Sequence, residues 1–330
     1  MSPSILTIQN LHVNFKTSGG VVHGVNGVNL EVQAGETLGI VGESGCGKSV
    51  TALAILGLLP GNAQVFEGQI TFQGSDLLRF SEQQLSKIRS SQISIVFQDP
   101  TSSLDPLFRI EDQISEVFRY HDFNGGRNLS KGRMLHDEII RLLSMVRIPD
   151  AERVARSYPH QLSGGMKQRV MIAIALALNP AILILDEPTT ALDVTTQDEI
   201  LSLLMEMKNK LHTTIILITH DFGIVAETCD RVAVMYAGLV VETARTDDLL
   251  VAAKHPYTVG LLKSVPSPAS EIDTLEIIPG TVPSLTIARK GCVFYDRCAM
   301  AMQKCIQQEP NMISVNPGHE VKCHLCQESK

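Results

Sequence analysis

One octapeptide, Gly42-Glu43-Ser44-Gly45-Cys46-Gly47-Lys48-Ser49, limits what this chain can fold into more than any other stretch. The apolar run Thr37 to Val41 before it reads as a short buried strand, and Val50 to Leu59 after it reads as an apolar helix. A glycine-rich turn between strand and helix points several backbone N–H groups and the positive end of the helix dipole at one spot, where a polyphosphate belongs. Gly42, Gly45 and Gly47 allow the backbone to approach closely. Lys48 is then set to reach the β- and γ-phosphates, and the Ser49 hydroxyl to ligate Mg²⁺. From Gly42 to Val50, with Glu43, Ser44 and Cys46 completing the turn, the segment reads as a cradle for ATP or GTP.

A chain of 330 residues with 44% hydrophobic content suits two domains, or one large domain with an extension. Its net charge of −7 argues against a nucleic-acid sleeve. The most apolar stretch, Val170 to Leu185, is broken by Asn179-Pro180 and falls short of the ~18 residues a bilayer span needs. Met1 to Phe15 shows no charged leader with an apolar core, so a cytosolic chain is expected. Five of the seven cysteines fall between Cys292 and Cys326; in a reducing compartment these ask for a metal rather than for disulfides.

Taken in order, Ile5 to Phe15 and Val21 to Val32 alternate apolar and polar residues, as strands with one buried face do. Phe15, at the end of the first, suits either stacking on a nucleotide base or ordinary core packing. Gly68 to Gly74 continues an antiparallel sheet. Ile93 to Phe97 is nearly all apolar, which suits a strand buried on both faces, and it runs into Gln98. An amide at a strand's C-terminal end, where ligands of open α/β sheets gather, can reach Mg²⁺ and an attacking water; it can equally just open a loop. Ile110 to about Ala155 is helical, with a polar interruption at Asn124 to Gly132 and no strand signal, so it reads as a helical subdomain.

Ser163-Gly164-Gly165, ahead of an apolar helix from Arg169 to Leu178, is a second anion-binding device or simply a helix cap. The apolar strand Ile182 to Leu185 delivers Asp186, suited to hold Mg²⁺ through water, and Glu187, suited to deprotonate a water attacking the γ-phosphate. A helix from Thr195 to Leu211 follows Ala191-Leu192-Asp193. Thr214 to Thr219 is another apolar strand, ending at His220, which is able to hydrogen-bond the γ-phosphate or to serve a structural role. Val232 to Tyr236 and Leu239 to Glu242 read as a hairpin turning at Ala237-Gly238.

These motifs, in this order from Ile5 to Thr246, resemble the ATP-binding subunit of an ABC transporter. The glycine loop matches its P-loop, Gln98 its Q-loop, and Leu162-Ser163-Gly164-Gly165-Met166 its signature. Asp186-Glu187 matches its acidic strand end, Ala191-Leu192-Asp193 its D-loop and His220 its switch histidine. Met166 stands where the signature usually has glutamine, a departure that leaves the serine and glycine contacts intact. The resemblance implies an α/β fold of P-loop NTPase type, with a RecA-like core, an antiparallel β subdomain and a helical subdomain at about 100–170, all within residues 1–254. It also implies a head-to-tail dimer, with ATP between one subunit's P-loop and the other's signature.

Beyond the hairpin, His255-Pro256-Tyr257-Thr258 and Pro266 to Pro268 mark a change to proline-rich, loop-like composition. Cys292, Cys298, Cys305 and Cys323 are separated by five, six and seventeen residues, and Cys326 follows Cys323 after two more. Only the last pair has the tight Cys-x2-Cys form of structural zinc. The wider spacing better suits an Fe–S cluster, with zinc and free or disulfide-linked thiols as alternatives. Residues 255–330 resemble the small C-terminal extension of ATPases serving oligopeptide, dipeptide and nickel importers, which implies a [4Fe-4S] cluster on Cys292, Cys298, Cys305 and Cys323. Cys46 and Cys229 read as packing residues.

The function expected is ATP hydrolysis that powers peptide import across a bacterial inner membrane. The chain would sit peripherally on the cytoplasmic face with two permeases and a second ATPase, itself or a paralogue. An external solute-binding protein would act indirectly, and no nucleic acid would be involved. Nickel or another small solute is the alternative cargo. A non-transport ABC ATPase and a redox sensor that gates the ATPase are the alternative functions.

Overall fold

The computed structural model describes residues 3–122, 132–190, 192–264, 277–283, 285–286 and 290–327. Ala191, most of the polar interruption after Asn124, and Pro266 to Pro268 lie outside these residues. Twelve strands form among those described: β1 (Ser4–Thr17), β2 (Gly20–Gln33), β3 (Thr37–Val41), β4 (Ala63–Phe72), β5 (Ser75–Asp76), β6 (Ile93–Val96), β7 (Ile182–Asp186), β8 (Thr214–Thr219), β9 (Arg231–Tyr236), β10 (Leu239–Arg245), β11 (Ile313–Asn316) and β12 (His319–Val321). They belong to two compact units, residues 1–79 with 217–330 and residues 80–216, the division falling inside β8.

In the first unit, β1, β2, β4 and β5 form an antiparallel sheet in the order β2-β1-β4-β5. The alternation in the sequence is what builds it. Leu6, Ile8, Leu11 and Val13 of β1 are buried, as are Val25, Val28, Leu30 and Val32 of β2, and Ile8 stands opposite both Leu30 and Ile70. A second set runs β11-β12-β10-β9-β3, with β3 parallel to β9 and the other pairs antiparallel. All five residues of β3 are buried, the polar Thr37 included, as suits a strand covered on both faces. The β9–β10 turn places Ala237 at φ 47° and Gly238 at φ 83°, the double left-handed conformation that matches hairpin twist.

The C-terminal segment is more ordered than its loop-like composition predicts, because β12 adds to β10 and β11 to β12. Such short strands carry too few residues to show a period. A buried pair holds them: His319 lies 2.8 Å from Glu242, a carboxylate that also accepts from the backbone N–H groups of Lys254 and His255.

In the second unit the strand order is β8-β7-β6, with β6 and β7 parallel. Around these lie helices Ile110–Asp122, Arg133–Met145, Ala151–Ala155, Gly164–Leu176 and Val194–Leu211. Ile110, Ile114 and Phe118 of one helix and Leu135, Ile139, Leu142 and Leu143 of the next are buried, the spacing of one face of a helix. No helix among the described residues is long and apolar enough to cross a membrane.

Candidate active site

The phosphate loop belongs to the first unit. It leaves β3 at Gly42 and enters helix Lys48–Ile55, whose N-cap, Gly47, supplies no side-chain cap. Two of its glycines are obligatory. Gly42 has φ 157°, and a Cβ there would lie 2.2 Å from the Met235 carbonyl oxygen; Gly47 has φ 105°, and a Cβ would lie 2.7 Å from the Gly24 carbonyl oxygen. Ser44, Gly45 and Ser49 are exposed, Glu43 and Val50 half-buried, and Cys46 and Lys48 buried, so the loop turns one face to solvent. Lys48 Nζ donates to the carbonyl oxygens of Gly42 at 2.7 Å and Glu43 at 3.1 Å. Burial pushes the Cys46 thiol above the usual range, which fits a packing role rather than a reactive one.

Phe15 is half-buried, its ring against Gly24, the same residue whose carbonyl faces Gly47. The aromatic face thus stands one strand away from the phosphate loop. His220 follows β8 directly and is exposed.

The second unit brings together residues far apart in sequence. Because β6 and β7 are parallel neighbours with Val96 opposite Leu185, the residues that leave their C-terminal ends emerge side by side. Gln98 Nε2 there donates to Glu187 Oε2 at 2.8 Å, and Thr190 Oγ1 donates to the same oxygen at 3.1 Å. Glu187 is held at φ 47°, in the left-handed region that a residue with a Cβ seldom adopts. Asp186 ends β7 and is buried.

Ser163 is the N-cap of Gly164–Leu176, its Oγ accepting from Met166 N at 3.3 Å, so the capping reading of this serine is realised. The helix starts at Gly164, earlier than the apolar pattern predicts, because the cap and not the periodicity sets its first turn. Asp193 likewise caps Val194–Leu211, and the N–H and hydroxyl of Thr196 hold its carboxyl below the usual range.

Two residues to which the sequence assigned no part at the phosphate site touch its loop. Tyr257 Oη accepts from Glu43 N at 3.0 Å, and the Arg297 guanidinium grips the Glu43 carboxylate with bonds of 2.7 and 3.0 Å. They stand more than two hundred residues downstream of Glu43, and only the fold reveals their contact with it.

Among the described residues no group of three or more His, Cys, Asp or Glu side chains is arranged to hold a metal ion. The four cysteines nevertheless line one small cavity, together with His255, Phe294 and His324; Cys326 is not among its walls. Met302 N donates to Cys305 Sγ at 3.5 Å, and the backbone at Phe294, Met300 and Leu325 acts to lower the thiols of Cys292, Cys298 and Cys323 against the larger effect of burial. Burial pushes the Cys292 thiol up to about 11 and Cys323 to about 12.

A glycine cradle opening a helix, and a strand pair ending in a bonded glutamine and glutamate, are the equipment of a P-loop nucleotide hydrolase. Comparison with known proteins narrows the class. The ABC transporter family model matches residues 25–190, and that of the oligopeptide/dipeptide transporter C-terminal region matches 241–305. The oligopeptide transport ATP-binding protein AppD of Bacillus subtilis is 44% identical over 326 residues, 98% of each chain. The oligopeptide transport ATP-binding protein OppD of Escherichia coli is 46% identical over 320 residues, 97% of this chain and 93% of that one. A dimeric ATP-binding cassette, MJ0796 with ADP and Pi, superposes with a TM-score of 0.64 at 28% identity, covering 73% of this chain and 98% of that one. The chain belongs to the ABC transporter family, among its oligopeptide and dipeptide transport ATP-binding proteins, and is an ATPase.

Proposed function

We propose that this ATPase powers import of di- or oligopeptides through partner permeases, working peripherally on the cytoplasmic face of a bacterial inner membrane. The observation that carries this reading is the near full-length similarity to peptide-transport ATPases, C-terminal region included. Its partners are two permeases, a second ABC ATPase and, indirectly, an external solute-binding protein. In support, Phe97, Leu107, Phe108 and Tyr120 are 39, 80, 54 and 60% exposed. Exposed apolar side chains recurring along the chain from Phe97 to Tyr120 suit a groove that receives a permease segment. A push on Phe97 would reach Gln98 next to it, and through its bond, Glu187.

In this reading residues 1–254 hydrolyse ATP, with the helical part at about 100–170, and residues 255–330 form the extension. The loop from Gly42 to Val50 cradles the phosphates, Lys48 leaves the carbonyls of Gly42 and Glu43 for the β- and γ-phosphates, and Phe15 stacks on the base. Ser49, Gln98 and Asp186 would hold Mg²⁺, which supplies positive charge at the phosphate oxygens. Glu187 takes the proton of the attacking water, Gln98 orients both, and His220 donates to the γ-phosphate. The serine and glycines at 163–165 close on the ATP bound by the opposite ATPase.

Cys292, Cys298, Cys305 and Cys323 would hold a [4Fe-4S] cluster, zinc being the alternative. What supports it is the cavity that the four cysteines share and the backbone N–H of Met302 donated to Cys305, a kind of bond that stabilises thiolates on a cluster. Bound iron would supply the charge that draws these raised thiols into their thiolate form.

The test is purification of the tagged chain from membranes, without air. Two permeases and a second ATPase should accompany it, ATP hydrolysis should rise with peptide-loaded binding protein, and the preparation should be brown. A chain recovered without membrane proteins and indifferent to peptide would refute the import reading, and stoichiometric zinc would refute the cluster.

A further inference from the structure

Glu43 is fixed at every polar group it has. Its N–H donates to Tyr257 Oη at 3.0 Å, and its carbonyl accepts from Lys48 Nζ at 3.1 Å. Its carboxylate accepts both Arg297 Nη1 and Nη2, at 2.7 and 3.0 Å. The Arg297 side chain is only 5% exposed, against 27% for Glu43. It is anchored independently, Nε donating to Pro279 O at 2.9 Å and Nη2 to Ile278 O at 3.3 Å. The ring of Tyr257 is fully buried against Tyr236 and Phe294, with centroids 4.6 and 5.4 Å away. Both groups therefore reach the phosphate loop from rigid settings within the same unit, and both come from the C-terminal segment.

We propose that Arg297 and Tyr257 are positioning residues for the phosphate loop, through which the C-terminal segment sets the affinity of the ATP site. The proposal rests on the reading of residues 42–49 as the ATP cradle. A loop that binds phosphate through its amides works only if those amides already point inward, because each one ordered on binding subtracts from affinity. Glu43 begins the turn whose later N–H groups face the ligand, and until ATP arrives its carbonyl holds the lysine that then serves the β- and γ-phosphates. A forked guanidinium fixes a carboxylate in both position and rotation, which an ammonium does not. Arg297 also precedes Cys298, which lines the thiol cavity, so one peptide bond separates that cavity from the clamp on the loop.

A mere tether of the C-terminal segment would contribute stability and leave the nucleotide unaffected, which makes the two roles separable. In the full chain, ATP hydrolysis and affinity for a fluorescent ATP analogue are measured for the wild type, Arg297→Gln, Arg297→Lys, Glu43→Gln and the double variant Glu43→Gln/Arg297→Gln, each with its melting temperature. Arg297→Gln should raise KM and Kd about tenfold while kcat stays within about twofold, the worth of one charge-assisted bond pair. Arg297→Lys should fall between it and the wild type. The double variant should bind no more weakly than the weaker single one, because both changes remove the same bonds. A lowered melting temperature with KM unchanged, or additive losses in the double variant, would overturn the proposal. Should Arg297→Gln not accumulate folded, Tyr257→Phe removes only the hydroxyl, and an unchanged KM there overturns it equally. A wild-type chain that binds no nucleotide would instead sink the ATPase reading, and this proposal with it.

Discussion

Glu187 combines two features that seldom meet in a glutamate: a left-handed backbone at φ 47° and a carboxylate oxygen shared by Gln98 and Thr190. Holding a non-glycine residue there costs about 1–3 kcal/mol, which the surrounding bonds must sustain. A positioned general base is worth on the order of 10²–10⁴ in rate. Glu187→Gln should therefore keep ATP affinity and lose kcat by about that factor in a steady-state assay. Near wild-type turnover would remove Glu187 from its proposed role. The sequence singled out this residue because an apolar strand ending in acid downstream of a phosphate loop is a meaningful pattern. The bond to Gln98 was beyond it, since only the parallel pairing of β6 with β7 makes neighbours of residues 89 positions apart.

Helix Pro256–Lys263 shows how an element can be anchored by a group that must stay neutral. His255 is its N-cap, with Nδ1 accepting from Tyr257 N at 3.1 Å, and burial pushes the imidazole from an ordinary 6.5 down to about 3. As pH falls below 6.5 the unfolded chain takes up a proton that the folded chain refuses. This contribution is thus complete above about 6.5 and is lost toward 3, at up to ~1.4 kcal/mol per pH unit. His255→Asn keeps an acceptor at the cap and removes the titration. Urea midpoints between pH 4 and 7 should fall less steeply for the variant, and identical slopes would contradict the assignment. At this scale, legibility followed periodicity. The strands β1, β2, β3 and the hairpin β9–β10 announce themselves through alternation, apolar runs and turn residues, whereas β11 and β12 are too short to do so. Ser163 was legible only as a choice, since a helix cap and a phosphate ligand present the same residues.

The whole molecule divides its chemistry between two units. The phosphate loop, Phe15 and His220 lie in one, and Gln98, Asp186, Glu187 and the serine–glycine turn at 163–165 in the other. The order of these motifs was fully readable, because each is a local strand-to-turn or turn-to-helix device. The grip of Arg297 and Tyr257 on Glu43 was not, because an ion pair between distant positions leaves no local pattern. The central claim is that two ATPases share each nucleotide, one offering its phosphate loop and the other its serine–glycine turn. The most direct measurement is a structure of the Glu187→Gln chain with ATP in its assembled transporter. The account predicts Ser163 Oγ about 3 Å from a γ-phosphate oxygen of the ATP bound across the interface, within hydrogen-bond reach. An ATP held by the phosphate loop alone, with Ser163 turned to solvent, would contradict it.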